Sequence, residues 1–236
     1  MDRLDQLLAV ADPLLGRVDE VLSTAGAPGG HEVWTELRRV RLLPGDAARA
    51  VAALRPAAIQ ESVAELRADA RLYADLADAL PSPGEWSGPA ADAYEQARRD
   101  TAVRLNGGPG SLGGRMEATA DLAGALSDWM LRTRADLAEA LAEVCMTAEA
   151  VALTGRAETT GPHETTGPHQ TTGHHASPGG PGPHPAEAAP LPCPEVAGAA
   201  AAIGAVLLRT VADSYDRADS LLDEYTSLQN PLTVKS

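Results

Sequence analysis

From Leu112 to Val151, apolar or small residues recur every three or four positions: Leu112, Met116, Thr119, Ala123, Leu126, Met130, Thr133, Leu137, Leu141, Val144, Ala148 and Val151. A period of 3.6 places such residues along one side of a helix. Uninterrupted, this rod would span about forty residues and about 60 Å at 1.5 Å per residue. A rod of that length must cover its stripe with other elements, and the rest of the chain offers helices with which to do so. Leu4, Leu7, Ala11, Leu14, Val18, Val21 and Ala25 repeat the spacing, as do Ile59, Val63, Leu66, Ala70, Tyr73, Ala77 and Leu80. A last stripe runs Val196, Ala200, Ile203, Leu207, Val211, Ser214, Ala218, Leu221, Tyr225 and Leu228. Phe is absent and aromatics are 3% of the chain, so the core must rest on Leu, Val and Ala, which suits close helix packing rather than a sheet.

Proline and glycine mark the ends. Gly26 and the Ala27-Pro28-Gly29-Gly30 run should stop the first helix, and Pro13 should kink or break it, with Asp12 placed as a cap at the break. His31–Leu43 reads as a short basic helix with Arg38, Arg39 and Arg41 on one side and Trp34, Leu37 and Val40 on another. Those arginines are expected to meet the chain's own acidic surface. Asp46 should cap a helix toward Leu80 that Pro56 divides. Pro81-Ser82-Pro83-Gly84 then ends it.

Next comes Glu85-Trp86-Ser87-Gly88-Pro89-Ala90-Ala91-Asp92-Ala93-Tyr94. Pro89 suits a first helical position, where a missing N–H costs nothing, and Gly88 can take a backbone angle closed to other residues. Trp86 has no obvious apolar neighbour within the turn and needs a partner from elsewhere. The plain expectation is a corner between helices whose indole folds back onto its own bundle. The following helix carries Ala91, Tyr94, Ala97, Thr101 and Leu105 on one side and ends at Asn106-Gly107-Gly108.

This Trp-x-Gly turn between Ala-rich helices resembles the WXG family of helical-hairpin proteins, exported by type VII secretion systems of Actinobacteria and related bacteria. The resemblance covers about residues 57–105. It implies binding and export rather than catalysis, a type VII secretion apparatus as partner, and a small helical-hairpin partner or self-association. Substrates of these systems also carry Tyr-x-x-x-Asp or Tyr-x-x-x-Glu after the hairpin, and Tyr215-Asp216-Arg217-Ala218-Asp219 is similar. On a helix Tyr215 and Asp219 are neighbours on one surface. The resemblance therefore implies recognition through Trp86 and Gly88 on one side and Tyr215 and Asp219 on the other. The chain departs from small members of the family in its extra amino-terminal helical unit, in a Gly-rich break after the second helix, and in a Tyr-x-x-x-Asp far from the tryptophan, beyond a linker. One chain would thus supply both halves of a signal that forms between chains in the small members.

The linker announces itself by composition. Thr159-Thr160-Gly161-Pro162-His163-Glu164 recurs as Thr165-Thr166-Gly167-Pro168-His169-Gln170, and a third copy degrades into His174-His175. Such a segment has too little apolar surface to offset the entropy of ordering it, so 155–194 reads as disordered. Its histidines have no fixed geometry for a metal, and no metal is expected.

The organisation expected is all-α: an N-terminal helical unit over 1–43, a hairpin plus long helix over 44–154, the Thr/Gly/Pro/His-rich linker, and a C-terminal helix over 195–229 docking back on an elongated bundle. A formal charge of −14 argues against nucleic acid and anionic lipid as partners. Val196–Leu208 is the longest uncharged apolar run in a helix and reads as too short and too rich in Ala and Gly to span a bilayer, so no membrane span is expected. Asp2 and Asp5 stand where a signal peptide would be basic, so a cytoplasmic protein is expected, or one secreted without a cleaved leader. No enzyme is expected and no cofactor. His31-Glu32 lacks the second histidine of a zinc-protease motif because position 35 is Thr, and Gly108-x-Gly110-x-x-Gly113 has no preceding strand. Two cysteines, Cys145 and Cys193, make neither a disulfide scaffold nor a zinc site, although in an oxidising space they could pair across the linker. The alternative to export is a cytosolic helical scaffold assembling with itself or with a hairpin partner.

Overall fold

A computed structural model describes residues 2–155 and 193–229, with side chains to Thr226. The described residues form eight helices and no strand: α1 (Arg3–Thr24), α2 (Val33–Val40), α3 (Pro44–Ala52), α4 (Pro56–Asp78), α5 (Pro89–Asn106), α6 (Leu112–Cys145), α7 (Ala148–Thr154) and α8 (Pro194–Gln229). The described residues are all-helical apart from their turns, as the stripes require. The expected linker lies outside the described residues apart from its two ends.

Local signals set most boundaries. Asp2 and Asp5 form a reciprocal capping box at the start of α1, and Gly26 follows its end at φ +73°. Proline opens α3, α4, α5 and α8. Three expectations need correction. Asp46 does not cap its helix: α3 starts at Pro44 with Leu43 as N-cap, and Asp46 lies in its first turn. Of the kink or break expected at Pro13 the break does not occur: Pro13 lies inside α1, where Ala11, Leu14 and Leu15 on either side are buried and their packing offsets the lost hydrogen bond. The long helix stops at Cys145, since the Thr147 hydroxyl accepts from Ala150 N at 3.3 Å and starts α7 as a separate element.

The helices divide into two packed regions that share α6. One core gathers Leu15, Val18 and Val21 of α1, Val33 of α2, Val51 of α3, Leu137 and Leu141 of α6, Leu153 of α7, and Leu207, Leu208 and Val211 of α8. We call this region the head. Gly204 lets α8 come close to three neighbours at once: a Cβ there would lie 3.1 Å from Leu22 and Pro44 and 3.3 Å from Val33. The other region, the arm, is built from α4, α5 and the first half of α6. Its buried apolar residues are alanines: Ala70, Ala77, Ala91 and Ala120, none of which belongs to the head's cluster.

Charge fastens the head. Arg134 is buried, donating to Asp2 at 2.7 Å, to Asp5 at 3.0 Å and to the carbonyls of Val51 and Ala52. It ties the start of α1 to the end of α3. Arg39 of α2 reaches Asp213 at 3.0 Å and Asp216 at 2.7 Å on α8, so this arginine does meet the chain's own acidic surface.

One expectation about α8 is overturned. Reading the apolar run as ending at Leu208 treats the single charge of Arg209 as a stop, and the run continues past it. Over Pro194–Thr226 the helix has 33 residues and a stretch of mean hydropathy 1.5, long and apolar enough to cross a membrane by length and composition. The expectation of no such span is therefore withdrawn. In the fold, 67% of that stretch is buried in the bundle.

Candidate functional site: the tip of the arm

The arm's geometry follows from three contacts. Ser127 donates to the Pro56 carbonyl at 3.2 Å, Arg67 pairs with Asp121 at 3.1 Å, and a Cβ at Gly113 would lie 3.5 Å from the Ala70 carbonyl. Falling numbers on α6 meet rising numbers on α4, so the two helices are antiparallel and Ala70 lies level with the start of α6. The remainder of α4 runs on past that level with α5 for company. The turn between them, with Trp86, is the far tip.

At the tip Gly88 has φ +94°, with nothing within 4 Å of where its Cβ would be. Its role is conformational, since a side chain there would be strained rather than crowded. Gly88 is the N-cap of α5 and Pro89 its first residue, as the sequence suggests. The Trp86 amide donates to the Pro83 carbonyl at 3.2 Å. The indole leans on Tyr94, with ring centroids 6.1 Å apart and planes tilted 56°. The Tyr94 hydroxyl donates to the Pro81 carbonyl at 2.9 Å, which holds the supporting ring in place.

The partner expected from elsewhere is thus only one turn into the next helix. Nor does the indole fold back into a core, for Trp86 is 58% exposed. The other two tryptophans donate their indole N–H groups, Trp34 to the Pro28 carbonyl and Trp129 to the Ser214 carbonyl. That of Trp86 has no acceptor among the described residues. An exposed aromatic held by a pinned neighbour, with an unused donor, is what a docking anchor requires.

Tyr215 and Asp219 lie on α8, and both are exposed. Their surroundings are fixed by the residue beside them. Ser214 is fully buried; its carbonyl takes the Trp129 indole N–H at 2.8 Å and its hydroxyl meets that of Thr133. Arg217 pairs with Asp136 at 2.6 Å. Tyr215 is therefore level with the middle of α6.

The structure does not bring the two motifs together. Along α6 from Trp129 to Gly113 is about 24 Å at 1.5 Å per residue, and α4 extends about 12 Å further before the turn. Trp86 and Tyr215 are thus on the order of 35 Å apart on that helical rise. Contacts agree: α8 packs on α1, α2, α3, α6 and α7, whereas α5 packs on α4 and α6.

Sequence reasoning missed two residues. Tyr94 was legible from its place one turn after Pro89, where it can reach back over the turn. Trp129 lies beside the α6 stripe rather than on it, and nothing in its spacing foretells a bond to α8.

Elsewhere, an open cavity of about 440 Å³ at the base of the arm is lined by Asp2, Asp5, Arg55, Glu61 and Arg134, among others. Asp2, Asp5 and Arg134 are already engaged with one another there. Among the described residues no group of three or more His, Cys, Asp or Glu is placed to hold a metal. The chain matches no family model, no curated protein and no solved structure.

Proposed function

We propose that this chain is a non-enzymatic interaction protein and export substrate of a type VII secretion pathway, recognised through the Trp-x-Gly tip of its helical arm. The observation that carries this reading is the exposure of Trp86 at the end of a protruding hairpin, on a turn whose backbone depends on Gly88. An apolar side chain of that size costs free energy in water, and one held outward offers that surface to a partner. Tyr215 and Asp219 form a second exposed pair, read separately from the tip by virtue of their distance from it.

The test is export from a type VII-competent host. Trp86→Ala and Tyr215→Ala should leave helix content and melting temperature near wild type while abolishing secretion. Secretion of both variants at the wild-type level would remove the reading. The separation of the two motifs favours, as a second reading, a scaffold that stays in the cytosol and uses the tip alone. Cell fractionation in all growth phases separates the two, because the scaffold is confined to the cytosolic fraction.

A further inference from the structure

The distal arm has a charge pattern that the export reading does not use. Between Arg71 and Arg98 there is no Lys, Arg or His, while Asp75, Asp78, Glu85, Asp92 and Glu95 all fall in that interval. The ion pairs of this stretch among the described residues are those of Glu95 with Arg98 at 2.7 Å and with Arg99 at 2.9 Å. Asp75, Asp78, Glu85 and Asp92 are exposed and flank the indole along the chain. Asp78 is the last residue of α4, Glu85 adjoins Trp86, and Asp92 lies in the first turn of α5.

We infer that the tip is a dock for a cationic protein surface, in which an Arg or Lys side chain lies against the Trp86 ring and the neighbouring carboxylates hold its charge. This rests on the reading of the tip as a recognition surface and specifies the chemistry of its partner. Aromatic faces attract cations, Arg most often, and the attraction grows when the pair is shielded from water. The unpaired carboxylates add field of the right sign at a place where no fixed cation opposes it. The same field sets other occupants apart. Nucleic acid and anionic membranes bring more negative charge. A second copy, tip to tip, sets the same carboxylates against themselves.

The full-length chain, labelled with ¹⁵N, has three tryptophans and so gives three indole N–H resonances, with that of Trp86 identified by its loss in Trp86→Phe. The probe is a short peptide alternating arginine and alanine; its control has glutamine for arginine. The expected result is a saturable shift of the Trp86 resonance with the arginine peptide and none with the control. The shift should weaken severalfold as salt rises from about 0.05 to about 0.5 M. In the triple variant Asp78→Asn, Glu85→Gln, Asp92→Asn the affinity should fall at least about tenfold with the other two indole resonances unmoved, which reports an intact head. Equal shifts with both peptides, retention of affinity in the triple variant, or no shift at all would overturn the inference. So would a Trp86 shift driven by protein concentration alone, which would make a second copy the occupant. The dock and the export role fail separately. Loss of export in Trp86→Ala without arginine-peptide binding sinks only the cationic dock; binding with normal export of both Trp86→Ala and Tyr215→Ala sinks only the export role.

Discussion

Asp2 shows how much one exposed residue can carry. Its carboxylate caps α1 by accepting from Asp5 N at 3.0 Å, and it also accepts from Arg134. Chiefly through the hydrogen bond from Arg134, its pKa falls from 3.8 to about 2. A carboxyl depressed by folding stabilises the fold above its unfolded pKa, and that contribution is lost as pH falls through the folded value. Asp19 has the opposite sign. Burial pushes its carboxyl up, although it accepts from Gly45 N at 2.9 Å at the start of α3, so acid relieves a cost there. Asp2→Asn keeps a side-chain oxygen for the cap and loses the charge facing Arg134. The unfolding free energy of the variant from urea titration should fall at neutral pH by less than about 2 kcal/mol, because 48% of the Asp2 side chain stays in water and is screened. Between pH 3.8 and about 2 the wild type should lose that advantage and the two curves converge. Parallel curves across that window would show that the Asp2–Arg134 pair does not sense the proton.

At the scale of elements, α8 is the member that the others close upon. Its Gly204 stands where α1, α2 and α3 all approach, so added volume has nowhere to go. Gly204→Val should destabilise by about 1–3 kcal/mol through overpacking, read as a lower urea midpoint with an unchanged slope. Gly124, with nothing within 4 Å of its Cβ position, is the control, and Gly124→Ala there should be neutral or slightly stabilising. Equal changes in both would mean that close approach at Gly204 does not set the cost. The helices themselves were legible because period and punctuation agree: proline opens four of them, and stripes at three-four spacing mark the faces that pack. What escaped was set by tertiary contact in one case and by a local cap in the other. Pro13 stays inside α1 because buried neighbours outweigh it, and Thr147 ends α6 through a hydroxyl that no apolar pattern reports. The tip was legible as a turn, since Gly88 and Pro89 define it locally. Whether its indole faced in or out was not, because that depends on Tyr94 and on how far the arm reaches past α6. For the same reason the distance between Trp86 and Tyr215 could not be read from motif spacing.

Across the whole molecule, large side chains are buried in the head while the arm buries alanines and leaves Leu72, Leu76, Trp86 and Val103 exposed. Apolar burial is worth roughly 25 cal/mol per Å², so a helix pair whose fully buried apolar residues are alanines, with larger ones such as Ile59, Leu66 and Met116 only half-buried, has less to hold it against local opening. Surface pairs such as Arg67 with Asp121 add at most about 1 kcal/mol. The arm's outer half should therefore open without the head. Native-state hydrogen exchange measures this directly. Amides of Leu137–Val144 in α6 and Ala199–Ala212 in α8 should exchange only through global unfolding. Those of Ala91–Leu105 in α5 should exchange at least about tenfold faster, a difference of about 1.4 kcal/mol or more in opening free energy. A ligand that seats on the tip binds the closed hairpin and not the opened one, so the arginine peptide should slow exchange in α5 and leave the head's rates alone. Uniform protection along α5, α6 and α8 in the free chain would mean that the arm is held as firmly as the head. The tip would then be a rigid projection whose exposure of Trp86 costs the fold nothing in local stability.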